Sequence, residues 1–261
     1  MYLLRDMISK NQIKLVRQLE QKKYRMRDGL FVAEGPKVVG DLLHSGFQPR
    51  LLFATDDWSS PYVSATTTVT CVSQEELGRL SFLQHPQQVV GVFPMPEATN
   101  AEECPHPAAN ELYLALDGIQ DPGNLGTIIR IADWFGIGTI YCSRDTADVW
   151  NPKVVQATMG SIAHVKVVYT ALEELLEGCG MPVYGTLLDG DDIYRQPLSP
   201  NGIIVMGNEG KGISAPIRRL VTRKLLIPCF NEAPESAESL NVAIATAITC
   251  SEFRRENRRT H

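Results

Sequence analysis

Three separated stretches in the C-terminal half carry the residues best suited to ligand chemistry. They are DGIQDPGNLGTIIRIADWFG (Asp117–Gly136), IIVMGNEGKGIS (Ile203–Ser214) and LLIPCFNEAPESAESLNVAIATAI (Leu225–Ile248). Each reads as an apolar strand running into a loop rich in Gly, Asn or Ser, and the first and third loops lead into a helix. In an open α/β sheet the loops at the carboxyl ends of the strands converge on one crevice, and ligands bind there. The pattern predicts a single site built from all three loops.

Two nucleotide chemistries are excluded by spacing. A phosphate-binding loop starting at Gly207 would reach Gly212, but Ile213 then stands where a lysine is required. No GxGxxG follows the first strand either. Taken singly, the polar residues have plain readings. Asn124 would cap a helix, Arg130 would pair with Asp133 on the surface, Glu209 would be a turn acid and Ser239 a cap of the last helix. Their shared position after strands of one sheet favours a common function.

The elements that must position these loops alternate in kind. Strands are predicted at Leu112–Leu116, Thr139–Cys142, His164–Val168, Val183–Leu188, Ile203–Met206 and Leu225–Ile227. Helices are predicted near Leu125–Phe135, Pro152–Met159, Ala171–Glu177 and Leu240–Arg255. Helices between short β-branched runs imply a mostly parallel sheet covered on both faces. Upstream, Ser9 with Gln12 and Ser73 with Glu76 form capping-box patterns, and Pro36 opens a helix that Gly46 stops. With strands at Arg50–Ala54, Thr67–Val72 and Gln88–Phe93, residues 1–93 read as a separate α/β unit. A linker rich in Pro and Ala covers 94–110, leaving 111–261 as the second domain.

Composition narrows the class. Apolar residues make up 44% and charged residues 21%, as in a soluble globular protein. No apolar run is long enough to span a bilayer, and the first residues do not read as a signal peptide, so a cytoplasmic location is expected. Six scattered cysteines without a CxxC, and no HExxH, argue against a metal site. The cysteines read mostly as small buried hydrophobes. The total charge of -5 hides a net +6 over residues 1–27, against -11 for the remainder. That basic end is either the footprint of a polyanion binder or a solvated helix face.

At these motifs the chain resembles the SpoU (TrmH-like) branch of the SPOUT methyltransferases. DPGNLGTIIRIADWFG, VMGNEGKGIS and IP followed by SLNVAIATAI are similar to the family's three motifs, and NPKVVQATMGSIAHVKV (Asn151–Val167) to the segment between the first two. KKYRMRDGLFVAEGPKVVGDLL (Lys22–Leu43) resembles the RNA-binding domain that precedes many members. The resemblance implies an α/β SPOUT fold with a C-terminal trefoil knot, preceded by a small RNA-binding domain. It further implies a homodimer that transfers a methyl group from S-adenosylmethionine to a ribose 2′-hydroxyl of structured RNA, rRNA ahead of tRNA.

Carried over by motif, the catalytic set is Asn124, Arg130, Glu209, Ser239 and Asn241. The cofactor set is Thr186, Leu187, Gly207, Ile227 and Leu240. Arg130 reads as the group that grips a phosphate and stabilises developing oxyanion charge, because a guanidinium is too basic to accept a proton. Lys22, Lys23, Arg25 and Arg27 are expected on RNA phosphates. One segment departs from the family pattern: CFNEAPESAE, between Pro228 and Ser239, is longer than the short loop expected there. Two rivals stand beside this reading, a non-catalytic RNA-binding or ribosome-assembly protein that keeps the fold, and a base-methylating relative.

Overall fold

A computed structural model describes residues 2–4, 8–64, 66–96, 107–231 and 239–258. The described chain divides into two compact units.

The first unit begins with β1 (Tyr2–Leu4), α1 (Lys10–Gln18), α2 (Lys22–Asp28), β2 (Leu30–Glu34) and α3 (Pro36–His44). β3 (Leu51–Ala54), β4 (Thr68–Cys71), α4 (Gln74–Leu80) and β5 (Val89–Pro94) complete its N-terminal part. Both predicted capping boxes are present, at Ser9 with Gln12 and at Ser73 with Glu76. The strands form one mixed sheet in the order β1-β4-β3-β5-β2. Val16 and Leu19 meet Leu77 and Leu80 over Val32, Phe53 and Val90, so α1 and α4 cover one face. α2 escapes the periodicity reading because it is short and polar; Gly29, at φ 63, ends it in the left-handed conformation glycine tolerates best.

The second unit begins with β6 (Leu112–Asp117), α5 (Pro122–Trp134) and β7 (Thr139–Cys142). The chain then returns to the first unit for residues 148–164, which include α6 (Pro152–Ala157). Specific side-chain contacts help to hold that excursion. Arg25 pairs with Asp148 at 2.5 Å, and Trp150 lies 4.5 Å from Phe31, centroid to centroid. The second unit resumes with β8 (Lys166–Tyr169), α7 (Leu172–Gly178), β9 (Val183–Asp192), β10 (Gly202–Gly207), α8 (Ala215–Leu220), β11 (Arg223–Leu226) and α9 (Val242–Arg258).

Its sheet runs β11-β9-β10-β6-β7-β8, and every recorded pairing is parallel. β6 is buried along its whole length, as a strand covered on both faces must be. Tyr113, Ala115, Ile203 and Val205 join Leu172, Leu176 and Ile217 on the side of α7 and α8. α5 and α9 lie together, both running the same way. Asn241 meets Asn124 where the two helices begin, and Arg254 caps the Phe135 carbonyl (2.7 Å) where α5 ends. β9 is longer than predicted, and its pairing with β11 shifts register between Lys224 and Leu225.

Among the described residues no helix is long and apolar enough to cross a membrane. The cysteines are less uniform than expected. Cys142 and Cys250 are buried, the latter thiol pushed up to about 12 by desolvation, but Cys229 is exposed. Most of the predicted linker (97–106) lies outside the described residues.

One buried acid in the first unit is open to a direct test. Glu34 accepts from the Ser81 hydroxyl and from Phe82 N–H (2.9 Å), and burial raises its carboxyl above the ordinary 4.5. A raised folded-state value means that the neutral form suits the fold and the ionised form costs stability. Wild type should therefore gain stability relative to Glu34→Gln as pH falls through the raised value, with the gain complete below 4.5. Urea unfolding of both proteins across that window checks the sign.

Candidate active site at the junction of three loops

The three predicted loops meet. Glu209, from the loop after β10, sits over the start of α5. Its carboxylate accepts from Asn124 Nδ2 at 3.0 Å and from the Gln120 and Asp121 N–H groups, each at 3.4 Å. Asn208 Nδ2 adds a fourth donor at 3.4 Å. A helix N-terminus carries unsatisfied N–H groups and positive potential, so an anion is stabilised there. Glu209 is thus a bracket between two loops, not an isolated turn acid.

The amide orientations follow from this. A carboxylate only accepts, so Asn124 must turn its Nδ2 toward Glu209 and its Oδ1 away. That Oδ1 accepts from Asn241 Nδ2 at 2.9 Å. Asn241 then has only its oxygen left for α9, where it accepts from the N–H groups of Ala243 (2.9 Å) and Ile244 (3.3 Å). One polarised chain, from the cap of α9 through Asn124 to Glu209, joins the third, first and second loops.

The plain readings resolve unevenly. Asp121, not Asn124, caps α5, accepting from Asn124 N–H at 2.8 Å. Asn241, not Ser239, caps α9. Ser239 is exposed, and among the described residues no hydrogen bond joins it to the chain of amides. Arg130 is also exposed. Its guanidinium is available to an anion brought from outside.

Asn208 and Asp117 belong to the site although the motif reading did not single them out. Asn208 Nδ2 donates to Gly118 O at 2.6 Å, while its Oδ1 accepts from Gly210 and Lys211 N–H, both at 3.0 Å. Asp117 accepts from Ser214 N–H at 2.7 Å, pinning the second loop's exit to the end of β6. For Asn208 the signal was in the sequence, since an Asn at a loop start bonds its own backbone two or three residues on; Asp117 instead reaches a residue far along the chain, which no local pattern shows.

The fold of the second loop itself requires a glycine at 207. A Cβ there would overlap the main chain of Gly212 and Ile213, because the loop folds back to pair Asn208 with Gly212. The close approach is therefore made by the protein's own backbone. Gly207→Ala should push the loop outward and misplace Glu209. Cofactor affinity is expected to fall at least about tenfold, in line with 1–3 kcal/mol of overpacking. Calorimetric titration measures it; an unchanged affinity would detach Gly207 from the site.

The expected cofactor residues lie on neighbouring strands and on the approach to the last helix. Thr186 and Leu187 lie in β9, Gly207 closes β10, Ile227 follows β11 and Leu240 precedes α9. The Thr186 hydroxyl donates to Val205 O at 3.3 Å and Leu187 is buried, which leaves main chain rather than side chains to meet a ligand. Apolar groups nevertheless stand in solvent nearby: Leu188 at 77% exposure, Phe230 at 84% and Leu240 at 50%. Such surfaces suit a ligand with an apolar face, so these residues fit an adenosyl group. A separate polar cleft of about 350 Å³ is lined by Tyr184, Asp189, Asp191, Gln196 and Lys224, and by none of the expected cofactor residues. Residues 232–238 of the long third loop lie outside the described residues.

The first unit corrects one expectation. Arg25 is 1% exposed, and its guanidinium is committed to Asp148, Leu19 O (2.7 Å) and Glu20 O (2.7 Å). It is a buried strut with no free donor edge for RNA. Lys22, Lys23 and Arg27 remain exposed on α2.

Comparison with known proteins decides the family. The SpoU rRNA Methylase family model matches residues 111–251, more than half of the chain. The chain belongs to the SpoU rRNA methylase family. Within it, an MRM3-like substrate binding domain model matches residues 10–91. The chain is 33% identical to the 23S rRNA (guanosine(2553)-2′-O)-methyltransferase RlmP of Bacillus subtilis, over 92% of this chain and 95% of the relative. Among solved structures, a TrmH-family protein from Porphyromonas gingivalis is 41% identical over 96% of this chain and 99% of its own, with a TM-score of 0.83. An rRNA methyltransferase from Sinorhizobium meliloti, solved with AdoMet bound, is 31% identical over 97% of each chain, with a TM-score of 0.81.

Proposed function

We propose that this member of the SpoU family methylates a ribose 2′-hydroxyl in ribosomal RNA at the three-loop junction. S-adenosylmethionine, when bound, supplies an electrophilic methyl group on a sulfonium. The carrying observation is the polarised chain Asn241–Asn124–Glu209, which ties together the three loops that would surround donor and acceptor.

In this reading the chain's residues act by position. The backbone at Thr186, Leu187, Gly207 and Ile227, with Leu240, holds the adenosyl end. Glu209 already accepts four hydrogen bonds, so it serves better as an anchor than as a base. Arg130, free on α5, grips an RNA phosphate and offsets charge as the ribose oxygen becomes nucleophilic. Asn124 and Asn241 fix the loops that orient the ribose, and Ser239 borders the same opening. Aligning the oxygen with the methyl carbon supplies much of the rate. Lys22, Lys23 and Arg27 give the first unit its sequence-blind hold on RNA.

The active assembly is a homodimer of cytoplasmic protein. Trp134 at the end of α5 is 85% exposed and Ile244 on α9 is 53% exposed, apolar groups on two packed helices that a second copy would cover. The knotted path implied by the family motifs is part of the same proposal for the region from β9 to α9.

Incubating the protein with deproteinised rRNA and methyl-labelled S-adenosylmethionine, then digesting to nucleosides, tests the reading. Label should appear in 2′-O-methylated nucleosides by mass spectrometry. Label on a base would favour the base-methylating alternative. No S-adenosylmethionine binding by calorimetry would favour a non-catalytic RNA-binding protein.

A further inference from the structure

The junction leaves unexplained an aromatic pair and a set of cations on the first unit. Tyr62 stacks on His44, with ring centroids 4.3 Å apart and planes within 11° of parallel. Tyr62 is nonetheless 49% exposed, and His44 is exposed as well. A wet pair of rings buries little apolar area, so the stack is not explained as a core contact.

On α2, Tyr24 gathers two more groups. Lys23 Nζ lies 4.7 Å and the Arg27 guanidinium 4.9 Å from its ring centre. Arg27 is also held by Asp28 at 2.7 Å, and Arg50 is close enough to act on the same carboxylate. Topology brings these groups to one border. β2 and β3 both pair antiparallel with β5, so they run the same way and start at the same edge of the sheet. α2 ends immediately before β2, and α3 delivers His44 shortly before β3. Arg27, Arg50 and His44 therefore share that edge.

We propose that this edge is a docking face for single-stranded RNA, with the ring of Tyr62 taking one unstacked base and Lys23, Arg27 and Arg50 meeting adjacent phosphates. The proposal rests on the reading that RNA is the substrate. Surfaces that hold single strands combine cations along the backbone with aromatic rings under the bases. A duplex offers no free base face, so the occupant is a loop, bulge or end. His44 backs the tyrosine ring and keeps it upright, a positioning role. Arg27 is kept in place by Asp28 and Tyr24, so little side-chain freedom is lost on binding.

Binding of the full-length protein to poly(A) and to deproteinised 23S rRNA tests this. Tyr62→Ala should weaken poly(A) binding about tenfold, and Tyr62→Phe should retain it. His44→Ala should fall between them. Arg50→Gln should weaken binding and reduce the salt dependence by about one phosphate contact. S-adenosylmethionine binding, measured on each variant, should not change and reports an intact fold. Poly(A) affinity unchanged in Tyr62→Ala overturns the stacking face. Failure of the unaltered protein to bind either RNA overturns the underlying reading of RNA as substrate.

Discussion

Arg130→Ala should abolish most methyl transfer, lowering kcat/KM about 10²–10³-fold, the usual loss for one preorganised donor at developing charge. Two observations support so large an effect. The residue lies on the helix whose N-terminus holds Glu209. Its side chain is exposed. It stands on a solvent-facing side of α5, where an incoming phosphate can reach it. Because Arg130 is not one of the expected cofactor residues, affinity for S-adenosylmethionine should stay within about twofold of wild type. Arg130→Lys should recover only part of the rate, since a point charge cannot make the two-pronged contact of a guanidinium. Single-turnover assays with labelled donor, paired with calorimetry, separate the two effects. Turnover retained in Arg130→Ala would remove the residue from the mechanism.

Arg25→Ala should have the largest effect on stability, about 3 kcal/mol or more, because it strands a carboxylate whose partner was buried. Arg25 is 1% exposed and Asp148 is only 13% exposed at its side chain. The same guanidinium satisfies the carbonyls of Leu19 and Glu20, just past the end of α1. One substitution therefore leaves three acceptors without their donor. The double variant Arg25→Met with Asp148→Leu should recover much of the loss, since an apolar pair of similar volume carries no desolvation cost. Urea unfolding midpoints measure all three proteins. A variant as stable as wild type but weaker for RNA would restore Arg25 to the RNA-binding set and overturn its structural role.

Much of the fold was legible along the chain. The capping boxes at Ser9 and Ser73 specify helix starts through local hydrogen bonds, and both are realised. The β7 and β10 runs read as strands because they are short and rich in β-branched residues, and β6 because it is a short apolar run; all three are largely buried. α2 and α8 were less legible, since each is a short segment whose helicity depends on what it packs against. The excursion of residues 148–164 into the first unit left no periodic signal. It depends on tertiary contacts such as Asp148 with Arg25 and Trp150 with Phe31, partners far apart in sequence.

The active-site residues divide in the same way. Residue types and their positions after strands singled out Asn124, Arg130, Glu209 and Ser239, and the family resemblance added Asn241. Spacing could not say which amide caps which helix, nor that Glu209 lies over the N-terminus of α5. Nor could it separate Arg25 from Lys22, Lys23 and Arg27, four cations within six positions. Local sequence determined the elements, the capping boxes and the inventory of polar groups, because those depend on neighbours a few residues away. Burial and the polarity of the amide chain were decided by tertiary structure alone. A side chain's charge acts on whatever surrounds it in space, and those surroundings are assembled from segments more than a hundred residues apart, as Asn124 and Asn241 are.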